Sequence, residues 1–223
     1  MAAPAEVPDW LRPAGLPSHR MPSAQALQRL MAGNARYQRI VAGDQVGPGE
    51  PGQADFPFAL VLGCLESGAA GEQLFAEKPG AVQCVRTAGP SLGEDAMAAI
   101  EYAALVQNVG VILVLGHVGC GVLTAAANAR AAGNPALPGS LASWVPLAAA
   151  GTGLGDPVLG HVRALRAQLR TADPLLSLTR SGHVKIAGGV LDPVSGAITF
   201  LPDEPDQVPD DTLAGPVREQ YGS

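Results

Sequence analysis

The sequence predicts an α/β fold: a mainly parallel central β-sheet flanked by helices, with an N-terminal helical arm and a C-terminal β-hairpin. Two observations carry this expectation. Short unbroken apolar runs alternate with longer segments whose apolar residues recur at helical spacing, the pattern of strands buried on both faces by crossover helices. Near the C-terminus, two further apolar runs flank Asp192-Pro-Val-Ser-Gly196, a hairpin signal.

The elements follow in order. Residues 1–22 carry Pro4, Pro8, Pro13 and Pro17 and read as an extended lead. Ser23 is placed to cap a helix running to about Val41, where Ala26-Leu27, Leu30-Met31 and Tyr37 repeat at helical spacing. A Gly/Pro loop over 43–56 leads to an apolar strand over 57–63 that stops at Cys64. A second strand is expected over 81–87, with Cys84 as core filler, then a helix over 94–106 that Ser91 is placed to cap. The most apolar strand spans 109–115 and is followed by a helix over 122–132. Weaker helices are expected over 141–150 and 158–169, and the hairpin strands over 184–187 and 197–201. The tail from Asp203 is acidic and reads as a surface strap or a disordered segment. The chain therefore divides into a lead (1–22), a single α/β domain (23–202) and a tail (203–223).

Composition excludes several classes. With 28 Gly and 20 Pro the chain is rich in turn residues, yet 47% hydrophobic content is that of a globular domain. Fourteen basic residues against 20 acidic ones, a net charge of −6, leave no basic footprint for nucleic acid. The N-terminal segment has no apolar core of a signal peptide, and no apolar stretch is long enough to span a bilayer. Three cysteines are too few for a disulfide framework. The expectation is a cytoplasmic protein with reduced thiols free for metal or catalysis.

The chemistry gathers where strands end. Cys64 closes one strand, and Gly116-His117-Val118-Gly119-Cys120-Gly121 follows another, so both sets face the crevice at the carboxyl edge of the sheet. His117 and Cys120 are three residues apart on a glycine-rich turn, close enough to share one metal, and Cys64 can complete a Cys2His set with an open fourth position. Sulfur with imidazole selects zinc over magnesium or calcium. About 0.05 His-x-x-Cys pairs are expected by chance in this chain, so the pair is informative. On spacing alone, the other reading stays open: two buried cysteines and a satisfied core histidine.

These residues carry a resemblance. Gly63-Cys64-Leu65-Glu66-Ser67-Gly68, Arg86-Thr-Ala-Gly89 and Gly116-His117-Val-Gly-Cys120-Gly121 resemble the Cys-x-Asp-Ser-Arg, Arg-x-Ala-Gly and His-x-x-Cys-Gly segments of the β-class carbonic anhydrases. The likeness extends, in order, from Leu30-Met-Ala-Gly-Asn34-Ala-Arg-Tyr37 through Glu72-Gln-Leu-Phe75 and Ile100-Glu-Tyr-Ala103 to the hairpin over 188–201. It implies zinc held by Cys64, His117 and Cys120, and reversible hydration of CO2 to bicarbonate by zinc-activated water. Near relatives hydrolyse carbonyl sulfide or carbon disulfide. It also implies a homodimer or higher oligomer, with the helix over 24–41 packed on a partner subunit and the sheet extended between subunits.

Two positions depart from the family pattern. Glu66 stands where the family has the Asp that accepts a hydrogen bond from the zinc-bound water. Gly68 stands where it has the Arg that pins that Asp. Arg86 has its own place in the pattern and is not expected to replace the clamp. An unclamped Glu66 can serve as the proton-accepting group or take the fourth zinc position, and Gly68 leaves volume for a substrate larger than CO2. The alternative is a zinc-stabilised relative with a structural, sensing or binding role. A weaker alternative is a serine hydrolase. Gly89-Pro-Ser91-Leu-Gly93 matches the Gly-x-Ser-x-Gly elbow, with Asp156 or Asp173 and His161 or His183 following in hydrolase order. About 0.16 such matches are expected by chance, more than for His-x-x-Cys, and this reading gives Cys64, His117 and Cys120 no role.

Overall fold

Residues 59–64 and 111–117 are buried along their whole length, which in a sheet requires central strands covered on both faces. The computed structural model of the protein describes residues 8–11, 15, 20–45, 56–69, 71–133, 139 and 157–203. Its five strands are β1 (Ala59–Cys64), β2 (Val82–Thr87), β3 (Val111–His117), β4 (Lys185–Leu191) and β5 (Ile198–Phe200), in the spatial order β2-β1-β3-β4-β5. The first four are mutually parallel, and β5 returns antiparallel on β4 as the predicted hairpin. The helices are α1 (Ser23–Val41), α2 (Gly71–Leu74), α3 (Glu94–Leu105), α4 (Gly121–Ala131), α5 (Pro157–Thr171) and α6 (Leu175–Arg180).

Strand alternation divides the core between the two faces of the sheet. Leu60, Leu62, Ile112, Val114 and Ile186 face α3, α5 and α6, packing with Ile100, Val162, Leu165 and Leu169. Ala59, Val61, Val111, Leu113 and Leu115 face the other way, toward Ala26 and Leu30 of α1 and Leu74 and Phe75 after α2. Each fully buried aliphatic side chain contributes roughly 1.5–3 kcal/mol of transfer free energy.

The amphipathic α1 lies on its own chain's sheet, and two residues explain how closely. Gly33 faces the Phe75 carbonyl, where a Cβ would stand 2.3 Å from the oxygen. Next to it the buried Asn34 donates through Nδ2 to Leu74 O (3.2 Å) and Gly196 O (2.9 Å) and accepts through Oδ1 from Ile198 N (3.0 Å) and Gln38 Nε2 (2.9 Å). One side chain thus ties α1 to α2 and to the hairpin turn. Arg29 and Arg36 add ion pairs to the buried Glu77 carboxylate at 2.6 and 3.1 Å.

Most boundaries lie within two residues of expectation. Ser23 is the first residue of α1 and not its cap: Pro22 holds the cap position, and Ser23 Oγ donates to Gly182 O. Gly93, not Ser91, precedes α3. Cys84 is exposed and is not core filler, because β2 is an edge strand of which only Val82 is fully covered. A 3-10 turn at Asp9–Leu11 interrupts the lead, and α2 and α6 are too short to give a periodic signal. The helix expected over 141–150 lies outside the described residues, as does the tail beyond Asp203, whose carboxylate bonds Lys185. Among the described residues no helix is long and apolar enough to cross a membrane.

Asn34→Ala strands the Leu74 and Gly196 carbonyls and the Ile198 amide without their partner in a dry interface. Urea denaturation should register a loss of about 2–4 kcal/mol.

Candidate metal centre

The chain runs from β1 out to β2 and then back across the sheet to β3, so the strand order reverses between β1 and β3. At such a point the two loops leaving the strand ends part and leave a crevice. Register puts Gly63 opposite Leu115, so Cys64 and His117, the last residues of the two strands, arrive together. Gly116 permits close packing of α5 there, since a Cβ would meet Val158 at 2.6 Å and Val162 at 2.9 Å. Cys120 follows on the turn and directly precedes α4. Val122, Leu123 and Val158 form an apolar floor under both cysteines.

Cys64, Glu66, His117 and Cys120 each offer a ligand atom, all within 4.8 Å of one another. The two sulfurs are 3.9 Å apart, too far for a disulfide and close to the ~3.8 Å expected for two thiolates on one tetrahedral zinc. His117 is 3% exposed, yet its Nε2 has no hydrogen-bond partner among the described residues. Its Nδ1 lies 3.1 Å from Val118 O and can donate to it, which leaves the Nε2 lone pair directed at the sulfurs. A buried imidazole nitrogen left unpaired beside two buried thiols is what a soft-metal site presents before loading. The residues fit zinc.

The surroundings act differently on the two sulfurs. Cys64 Sγ accepts the backbone N–H groups of Glu66 and Gly89, both at 3.4 Å. Burial pushes the Cys120 thiol up to about 11, with the neighbouring Cys64 thiol and Glu66 carboxylate adding to the rise and the Leu123 amide opposing it. Glu66, half-exposed, points its Oε2 at the Gly121 N–H (2.8 Å) and lies 4.0 Å from His117 Nε2. Arg86 turns to the backbone instead: its guanidinium holds Cys64 O at 3.3 Å and Leu65 O at 2.6 Å, fixing the turn that carries Cys64 and Glu66. Gly68 adopts φ +78, and a Cβ there would meet nothing within 4 Å.

The structure brings together all four residues singled out in the sequence. The backbone amides of Gly89 and Gly121 and the loop contacts of Arg86 were not singled out. Gly89 had a readable signal, being a glycine fixed in the resembling segment. It takes φ +68, and a Cβ there would come within 3.0 Å of Val122. The elbow reading of the same stretch finds no triad among the described residues. The Ser91 amide bonds Thr87 Oγ1, while His161 Nε2 sits on Pro90 O at 2.6 Å. His183 Nδ1 pairs with Ser181, Asp173 is exposed, and Asp156 lies outside the described residues.

Comparison with known proteins follows the same line. A family profile described as carbonic anhydrase matches residues 59–153. A carbonic anhydrase of Mycolicibacterium smegmatis is 39% identical over 111 residues, 47% of this chain and 52% of that protein, so the chain matches about half the length of this relative. A carbonic anhydrase of Pseudomonas aeruginosa is 31% identical over 164 residues, 65% of this chain and 73% of that protein. Among solved structures, a tetrameric β-carbonic anhydrase of the ascomycete Sordaria macrospora superposes with a TM-score of 0.56 at 21% identity. That alignment covers 80% of this chain and 89% of the other, a likeness of fold.

With the Cys120 thiol protonated at neutral pH, metal uptake must release its proton. Zinc titration in weakly buffered solution should release at least one proton per ion bound. Apparent affinity should rise about tenfold per pH unit for each proton released.

Proposed function

The chain belongs to the β-carbonic anhydrase family, and from that premise we propose that it is a zinc-dependent lyase for the reversible hydration of CO2 to bicarbonate, or for the related attack on carbonyl sulfide or carbon disulfide. The observation that carries this reading is the unpartnered, buried His117 Nε2 facing the Cys64 and Cys120 sulfurs. Cys64, His117 and Cys120 would hold the ion. Zinc in such a set supplies a Lewis acid that brings the pKa of a water molecule to about 7.

The protein's own groups do the rest. The Val118 carbonyl fixes the His117 tautomer, and the Glu66 and Gly89 amides hold the Cys64 sulfur in place. The apolar floor excludes bulk water from one side, where electrostatic interactions gain strength. Glu66 is the group within reach that can accept a proton or orient a polar reactant, at Oε1 or Oε2. Arg86 keeps the Cys64–Glu66 turn in place, and this matters because a misplacement of about 1 Å can cost ~100-fold in rate.

Assembly as a homodimer or higher oligomer is part of the proposal. On α1, Met31, Ile40 and Val41 are exposed, apolar surface for a second copy to cover. A second functional reading, a zinc-binding relative without hydration activity, is favoured by Gly68, which offers no guanidinium to the carboxylate.

Stopped-flow CO2 hydration on protein carrying one zinc per chain separates the two. We expect a rate above the uncatalysed one, lowered about 100-fold in Glu66→Gln. Cys120→Ser should lose stoichiometric zinc. A background rate with zinc bound would leave the non-catalytic reading standing, and a chain that takes up no zinc would sink both.

A further inference from the structure

Resting on the zinc reading above, we propose that the backbone N–H of Gly121 is the positioning group for Glu66. It holds the carboxylate beside the metal position and off it, so that the fourth position stays open to a small anion or water.

The contact is direct: Gly121 N donates to Glu66 Oε2 at 2.8 Å. Gly121 is the first residue of α4, an eleven-residue helix, and its amide is one of those a helix leaves unpaired at its start. The partial positive charge of that end favours a carboxylate, and the bond is of the charge-assisted kind. The carboxylate also lies flat over the glycine: a Cβ at 121 would stand 3.0 Å from Oε1 and 3.3 Å from Oε2. Glycine is therefore what allows this approach. Among the described residues no other clamp holds it, because Gly68 has no side chain and the Arg86 guanidinium bonds the Cys64 and Leu65 carbonyls.

Without the amide, little would keep Glu66 out. Oε2 is 4.0 Å from His117 Nε2, and the carboxylate already lies within 4.8 Å of the other donor atoms, so a small rotation makes it a ligand. A bond of this kind favours the held-off arrangement by about 10- to 100-fold over the arrangement without it. Glu66 and Gly121 thus form a matched pair, in which a longer carboxylate reaches a backbone donor.

The local backbone permits a clean test. Proline is tolerated at the first position of a helix, where its missing N–H breaks no helical bond. Cys120, with φ −59 and ψ 112, already has the extended conformation that a following proline requires. Gly121→Pro therefore removes the donor, and its ring crowds the same carboxylate, while the helix is kept. The readout is the visible absorption of the Co2+-loaded protein titrated with azide.

In the natural chain, azide should bind the metal and shift the spectrum. In Gly121→Pro the freed Glu66 should close the site, weakening azide binding at least about tenfold and changing the azide-free spectrum. Adding Glu66→Ala to Gly121→Pro should restore the azide response. Should Gly121→Pro fail to melt cooperatively, Gly121→Ala takes its place, since its Cβ displaces the same carboxylate. An azide response in the variant equal to that of the natural chain overturns the proposal. So does a natural chain that holds Co2+ yet ignores azide, and so does a loss that Glu66→Ala fails to reverse. In these cases the zinc reading survives. A chain that takes up neither zinc nor Co2+ overturns both.

Discussion

The parallel pairing of β1 with β3 is the constraint on which the rest of the structure depends. Cys64 and His117 are 53 positions apart, and only the register that sets Ala59 against Val111 delivers them to one point. A slip of one residue would turn the apolar set of either strand to the wrong face, so core packing on both sides enforces the register. The stability of the sheet and the geometry of the metal centre are therefore one property. The site inherits its precision from Leu60, Leu62, Ile112 and Val114, which touch no ligand.

A second layer of restraint acts on the loops. Arg86 on the Cys64–Leu65 carbonyls, His161 on Pro90 and the Val118 amide on Leu191 O each fasten a turn at the carboxyl edge to a neighbouring element. On the opposite layer, Asn34 does the same for α1, α2 and the hairpin. Most of these contacts use a side chain on a backbone group and fix position; among them the Arg86 guanidinium brings a positive charge near the site, where Glu66 brings a negative one.

Much of this was legible in the sequence, and the reasons are physical. Buried parallel strands read as continuous apolar runs, and their ends are where ligands belong, so Cys64, His117 and Cys120 could be found without coordinates. Glu66 followed from the resemblance. What remained hidden was whatever depends on the backbone. The Gly89 and Gly121 amides have no side-chain signature, and α2 and α6 are shorter than the period that would reveal them. Cys84 was misjudged because an apolar strand does not announce that it lies on an edge. The single-residue error at Ser23 arose because Pro22, lacking an N–H, already suits the end of a helix that Ser23 seemed placed to cap.

Gly68 has a consequence for how this protein can change. Its φ of +78 belongs to the left-handed region, where an L side chain costs about 1–2 kcal/mol. Open space around the residue means that neighbours do not oppose an arginine there; the main-chain conformation does, by that amount. Gly68 thus fixes the shape of the turn, and Glu66 must find its support in a backbone amide and not in a neighbouring side chain.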